Sequence, residues 1–158
     1  MEKFQLVDVT ENSKTFESFG FSFQEALENS CQALSEILVN EIEKVNCHET
    51  LNLDANGSNL EEITEMVLSD LIYSLNENDL IIKEAKTLDF GNNLSGGYFV
   101  KMVGHAGSLE ETENQKNSQF QISVNPGSII KNDSGIWKIS ANLILPTKTE
   151  ETQVVQQI

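Results

Sequence analysis

Phe23, Ala26, Leu27, Ser30, Cys31, Leu34, Ile37 and Leu38 recur at spacings of three and four residues. That spacing lays one apolar face along an amphipathic helix, with Glu25, Glu28, Gln32 and Glu36 largely opposite. Ser22-Phe23-Gln24-Glu25 at its start is a capping box: the serine oxygen takes an orphan helix N–H and the glutamate reaches back. The helix is expected to end near Asn40, with residues 41–44 able to extend it. A second helix begins after Asn59, an N-cap with Glu62 three residues on. Leu60, Ile63, Met66, Val67, Leu71, Ser74 and Leu75 form its expected buried stripe, which stops near residues 76–78.

Elsewhere the pattern has the two-residue period of strands. Phe4, Leu6 and Asp8 alternate with Gln5 and Val7. A polar turn at 11–13 leads to a strand at 15–21, where Phe16, Phe19 and Phe21 are β-prone and Gly20 marks the strand end. Leu51 and Leu53 alternate within a short strand at 45–54, and Asp54-Ala55-Asn56-Gly57 reads as a turn. Strands at 80–90 and 98–103 enclose a loop at 92–97, and 104–118 reads as a mobile loop. Segments 119–124 and 129–131 flank Asn125-Pro126-Gly127-Ser128, whose central Pro-Gly suits a type II turn. Asn132-Asp133-Ser134-Gly135 is another turn before a strong last strand at 136–145, which Pro146 ends. The order predicts an α+β domain over 1–146, with two amphipathic helices packed on a mostly antiparallel β-sheet, followed by a polar tail at 147–158.

Composition narrows the function. The 158 residues suit one domain with a core of its own. Acidic residues number 25 and basic residues 10, all lysine, for a net charge of −15. Without guanidinium clamps, a chain this acidic is a poor candidate for tight nucleic-acid binding by itself, because such binding draws its affinity from neutralised phosphates. The same charge argues against anionic membranes and favours a basic or metal-bearing partner. No apolar run approaches the ~20 residues of a membrane span. The opening residues 1–4 lack the basic and apolar regions of a signal peptide. Cys31 and Cys47 make no disulfide framework, so a reducing cytoplasm is the expected compartment.

Candidate chemistry is sparse. Cys47-His48 is an adjacent cysteine–histidine pair, but a zinc site takes about four such ligands, and His105 is the one remaining histidine. Cys31 sits on the apolar helix face and reads as core. A hydrolase built on Cys47 and His48 would also need a base and an orienting group that no spacing supplies. Gly96-Gly97 and Gly104-His105-Ala106-Gly107 are not phosphate loops, because neither opens a capped helix and no Gly-Lys-Ser/Thr follows. Glu110, Glu111 and Glu113 read as a solvated acidic loop, or as a surface for a basic partner.

The run Gly20-Phe21-Ser22-Phe23-Gln24-Glu25-Ala26-Leu27-Glu28-Asn29-Ser30-Cys31-Gln32-Ala33-Leu34 resembles the archease family: a glycine ending a strand, a capped helix start and an E-x-x-x-N-x-x-x-A-L pattern. Leu60-Glu61-Glu62-Ile63, Leu71-Ile72-Tyr73 and Gly135-Ile136-Trp137 are similar to later family features, so the resemblance spans about residues 4–145. It implies a non-catalytic accessory protein of the RNA ligase that joins tRNA halves, promoting its guanylylation and repeated turnover. It also implies a small acidic site for a divalent cation, calcium or manganese. The family's D-H-T-A-D motif falls on Asp8-Val9-Thr10-Glu11-Asn12, which leaves Asp8 and Asn12 as the expected metal ligands, with Glu11 displaced by one residue. Asp8 also reads as a turn-initiating aspartate. The family's K-A-x-T-Y-H motif falls on Gln121-Ile122-Ser123-Val124-Asn125-Pro126, which lacks its lysine and histidine. The glutamate that follows the glycine at Gly104 is His105 here, and Leu145-Pro146 stands where a terminal aspartate is expected. A degraded site of this kind leaves a second reading open, a metal-free adaptor on the same scaffold.

Overall fold

Both expected caps form. Ser22 Oγ accepts from Glu25 N at 3.1 Å, and Glu25 Oε1 accepts from Phe21 N at 3.0 Å. Asn59 Oδ1 accepts from Glu62 N at 2.8 Å. These bonds satisfy helix N–H groups that have no partner within the helix. The computed structural model describes residues 2–108 and 120–144. In chain order its elements are β1 (Phe4–Val9), β2 (Ser13–Gly20), α1 (Phe23–Leu38), a 3-10 turn (Ile42–Lys44), β3 (Glu49–Asn52), β4 (Ala55–Gly57), α2 (Leu60–Asn78), β5 (Leu80–Asn92), β6 (Tyr98–Ser108), β7 (Gln121–Ser123), β8 (Ile129–Lys131) and β9 (Trp137–Ile144). The expected tail at 147–158 and the acidic residues Glu110, Glu111 and Glu113 lie outside the described residues.

The α+β class is as the sequence predicts, and every described strand pairing is antiparallel. The strands divide into two sheets. One has the order β1-β2-β9-β7, with β8 also on β9; the other has β3-β6-β4, with β5 also on β6. Helix α1 packs on β2 and β9 of the first sheet and on β5 of the second. Helix α2 packs on β4, β5 and β6 of the second sheet and on β7 of the first. Phe16, Leu27, Leu34, Leu68, Ile82 and Met102 are among the fully buried side chains of the core between them. No helix of the described residues is long and apolar enough to cross a membrane.

Several local expectations are corrected. Met66 is 41% exposed, whereas Leu68 and Ile72 are buried. Helix α2 is covered from two sides, so its buried face is two adjacent stripes, not the one expected. Ala55–Gly57 is not a turn but a short strand on β6, with Ala55 opposite Val100. Residues 104–108 are strand, not loop. Their glycines mark close packing, since a Cβ at Gly104 would sit 2.8 Å from Ile82 Cγ2 and one at Gly107 would sit 2.2 Å from Asn46 O. The Pro126-Gly127 turn is as expected, with Gly127 at φ +83° and Ser128 N donating to Asn125 O at 3.1 Å.

Candidate functional site

The first sheet carries Asp8 through a device the sequence does not display. Leu6 stands opposite the fully buried Phe16 and so shares its face of the sheet, although on this edge strand Leu6 itself is 52% exposed. Asp8 stands opposite Thr15, not opposite the residue that regular alternation would give, because the register shifts between Leu6 and Asp8. A bulge of this kind re-aims the side chains beyond it. Asp8 therefore leaves the Phe4–Leu6 face, with which the sequence pattern grouped it, and joins the outward polar face.

On that face the register builds a row. Asp8 is opposite Thr15, Thr15 opposite Asn142, and Asn142 opposite Ser123. Directly opposed residues share a face, so the four polar side chains cross four strands in line. Thr15 Oγ1 donates to Asn142 Oδ1 at 2.7 Å. The β1–β2 turn is closed by Thr10 N donating to Ser13 O at 2.8 Å and by Ser13 N donating to Thr10 Oγ1 at 3.1 Å. Asn12 is exposed in that turn. The neighbouring row holds Gln5, Glu17 and Ser140. Gln5 Nε2 donates to Glu17 Oε1 at 3.0 Å, and the Lys138 ammonium lies 3.2 Å from Glu17 Oε2.

Burial pushes the Glu17 carboxyl up, but the hydrogen bonds from Gln5 and Lys138 and the Lys138 charge outweigh it and hold it below its ordinary value of 4.5. A depressed folded value means that stability is fully present above the ordinary carboxylate range and is lost as pH falls through the folded value. Glu17→Gln is expected to cost at most about 1 kcal/mol near pH 7, because the pair is screened by water and salt. It should also flatten the acid limb of stability against pH. Urea melts from pH 3 to 7 check this, and parallel curves for the two proteins would contradict it.

The structure brings the β1–β2 turn and β7 onto one sheet, with Gln121 opposite Ile144 and Ile144 opposite Ser13. Glu65 Oε1 accepts from Val124 N at 2.9 Å and Glu61 Oε2 accepts from Gly127 N at 3.1 Å, so helix α2 anchors the end of β7 and the turn after it. The donor set does not suit a tightly held hard cation. Such ions take six or more oxygens, usually with more than one carboxylate. Asp8 supplies one carboxylate, its row supplies hydroxyls and an amide already bonded to Thr15, and Asn12 supplies a neutral oxygen. Among the described residues, no group of three or more His, Cys, Asp or Glu is placed to hold a metal ion.

The cysteines and histidines lie elsewhere. Cys31 is fully buried, and burial pushes its thiol up to about 12, with the Glu28 charge adding to the shift. Cys47 is exposed and its thiol donates to His105 O at 3.6 Å. His105 faces outward from β6, opposite Thr50 and Glu84. Cys47 and His105 share a cavity with Lys3, which precedes β1, while Asp8 is near the far end of that strand. Lys3 and Asp8 are five positions apart, about 16 Å at the usual rise per residue. Asp8, Thr15, Glu17, Lys138 and Asn142 lie on three different strands, β1, β2 and β9, and only the register between those strands brings them together.

Comparison with known proteins fits this architecture. The solution structure of protein 1598 of Methanobacterium thermoautotrophicum matches with a TM-score of 0.68 at 17% identity, covering 92% of this chain and 100% of that one. At that identity the likeness establishes the fold. No curated protein matches. Residues 14–124 match the family described as the Archease protein family (MTH1598/TM1083), a stretch that begins just after Asp8 and Asn12. That match covers more than half of the 158 residues, and the chain belongs to the archease family.

Proposed function

We propose that this chain is a non-catalytic accessory protein of an RNA ligase of the tRNA-splicing type, acting in the cytoplasm to promote guanylylation and repeated turnover. Family membership over residues 14–124 is the observation that supports this reading most. The charge of −15, without any arginine, suits a partner with a basic surface and not RNA itself. The outward row of Asp8, Thr15 and Asn142 is the polar surface through which docking is proposed. The test is multiple-turnover ligation by the source organism's own ligase with and without this protein. Stimulation beyond one turnover supports the role. Its absence, with a folded protein and a competent ligase, overturns it.

A divalent cation at Asp8 and Asn12 is a separate proposal, and its donor set makes it a weak one. Calcium or manganese titrated calorimetrically is expected to bind with a Kd of about 1 mM or weaker, and Asp8→Ala should abolish the signal. Silence in the wild type removes the ion from the account. The single carboxylate of the Asp8 row, whose Asn142 amide oxygen is already bonded to Thr15, favours a second reading, a metal-free adaptor on the same scaffold.

A further inference from the structure

Helix α2 and strand β7 leave a groove of about 420 Å³ between them. Ile72, Tyr73 and Glu77 line it from the helix, and Phe120, Gln121 and Ile122 line it from the strand. Its surface is mixed, with apolar groups from Ile72, Phe120 and Ile122 beside the Gln121 amide. Tyr73 is 63% exposed there, a large aromatic left to solvent. β7 stands at the end of its sheet's order, and no described strand other than β9 pairs with it. An open strand edge beside apolar side chains is a template for a further extended segment.

We propose that this groove is a docking surface whose occupant is residues 153–158 of the same chain. Strand β9 ends at Ile144, directly opposite Gln121 on the groove's own wall. The chain therefore leaves the sheet about 5 Å from β7. Fourteen residues follow, 145–158. The first eight of them, to Thr152, can reach up to about 26 Å, well beyond that distance. A tether this short makes docking intramolecular, so an intrinsic affinity on the millimolar scale suffices to fill the groove. The run Gln153-Val154-Val155-Gln156-Gln157-Ile158 matches the groove in kind. It carries no charged side chain, whereas an acidic segment would meet Glu77 on a protein of net charge −15. Lys148, Glu150 and Glu151 are confined to the connecting residues. Val154, Val155 and Ile158 are β-branched, the side chains that suit a strand edge, and they offer apolar surface to Ile72, Phe120 and Ile122. The three glutamines offer amides to Gln121 and to the open backbone of β7.

The test uses the full chain, isotope-labelled for amide NMR, with Cys47→Ser and a nitroxide attached at Thr152→Cys, next to the docking run but outside it. Cys31 is fully buried and takes no label. The expected result is loss of the amide signals of 69–77 and 120–124 while the nitroxide is oxidised, with recovery on reduction and no loss in the β5–β6 turn at 93–97. Tyr73→Glu and, separately, Val154→Asp/Ile158→Asp should each weaken docking about tenfold or more and return those signals, because each sets a carboxylate against an apolar wall. Tyr73 is an exposed helix position and glutamate is a good helix former, so that variant keeps the fold. Mixing labelled chain that lacks the nitroxide with unlabelled chain that bears it separates the chain's own segment from a neighbour's. Loss of the groove signals in the mixture would mean that a second copy's segment fills the groove, and would overturn the proposal. Groove signals that never fade, fading centred elsewhere, or fading that survives both sets of substitutions would overturn it too.

Discussion

Gly20→Ala is expected to destabilise the protein by about 3 kcal/mol and to lower its thermal midpoint by roughly 6–12 °C. Gly20 ends β2 directly under the first turn of α1. A Cβ there would lie 2.4 Å from Ala26 N, 2.8 Å from Glu25 Cβ and 2.9 Å from Glu25 C. Two of those atoms are backbone, which cannot swing aside like a side-chain end. Relief would lift the start of α1 off the strand. That motion strains the Ser22 cap and the Glu25 bond to Phe21 N, and it pulls on Asn29, whose Nδ2 donates to Phe19 O at 2.7 Å. It also disturbs Phe23, whose ring lies 5.2 Å from Phe90 and 6.1 Å from Trp137. Gly127→Ala is the comparison, with φ +83° but no atom within 4 Å of the added carbon. Its cost should be only the left-handed backbone penalty, about 1 kcal/mol. Chemical denaturation of both variants checks the pair. Equal losses would mean that conformational preference, not the strand–helix approach, explains Gly20.

That glycine shows what a sequence can carry. The Gly20-to-Leu34 run encodes a strand end, a cap and a helix face in contiguous residues, so local chemistry reveals all three. Ala55–Gly57 and residues 104–108 read as turn and loop in the sequence because their glycine content mimics turns. Gly107 is a glycine for the sake of Asn46, a neighbour sixty-one positions away that the local pattern cannot register. Met66 fits the apolar spacing of the expected stripe, but the buried arc of α2 runs through Ile63, Thr64, Val67, Leu68, Leu71, Ile72 and Leu75, which leaves Met66 beyond its edge. At the candidate site, Asp8 was found by motif resemblance, but its direction was not, since one bulge reverses the face of every residue beyond it. Its neighbours Thr15 and Asn142 are 127 positions apart and meet only through the β2–β9 register.

Charge reversal at Asp8 is expected to cut stimulation of multiple-turnover RNA ligation about tenfold or more, while Leu94→Ser leaves it intact. Both side chains are exposed, so neither change should unfold the protein. They differ in position. Asp8 heads the polar row on the first sheet, whereas Leu94 lies in the β5–β6 turn of the second. The mechanism proposed is docking of an acidic surface on a basic partner, and such contacts act mainly on encounter and register. Raising salt from 0.05 to 0.3 M should therefore weaken stimulation by the wild type and narrow its lead over Asp8→Lys. A cation relay predicts otherwise: Asp8→Asn would then fail like Asp8→Lys, and added calcium or manganese would rescue the wild type alone. Under docking, Asp8→Asn should fall between wild type and Asp8→Lys, with no response to added metal. If wild type and Asp8→Lys stimulate equally, the ligase contact is not on this row. Glu110, Glu111 and Glu113 then become the next charges to reverse, by the same charge argument.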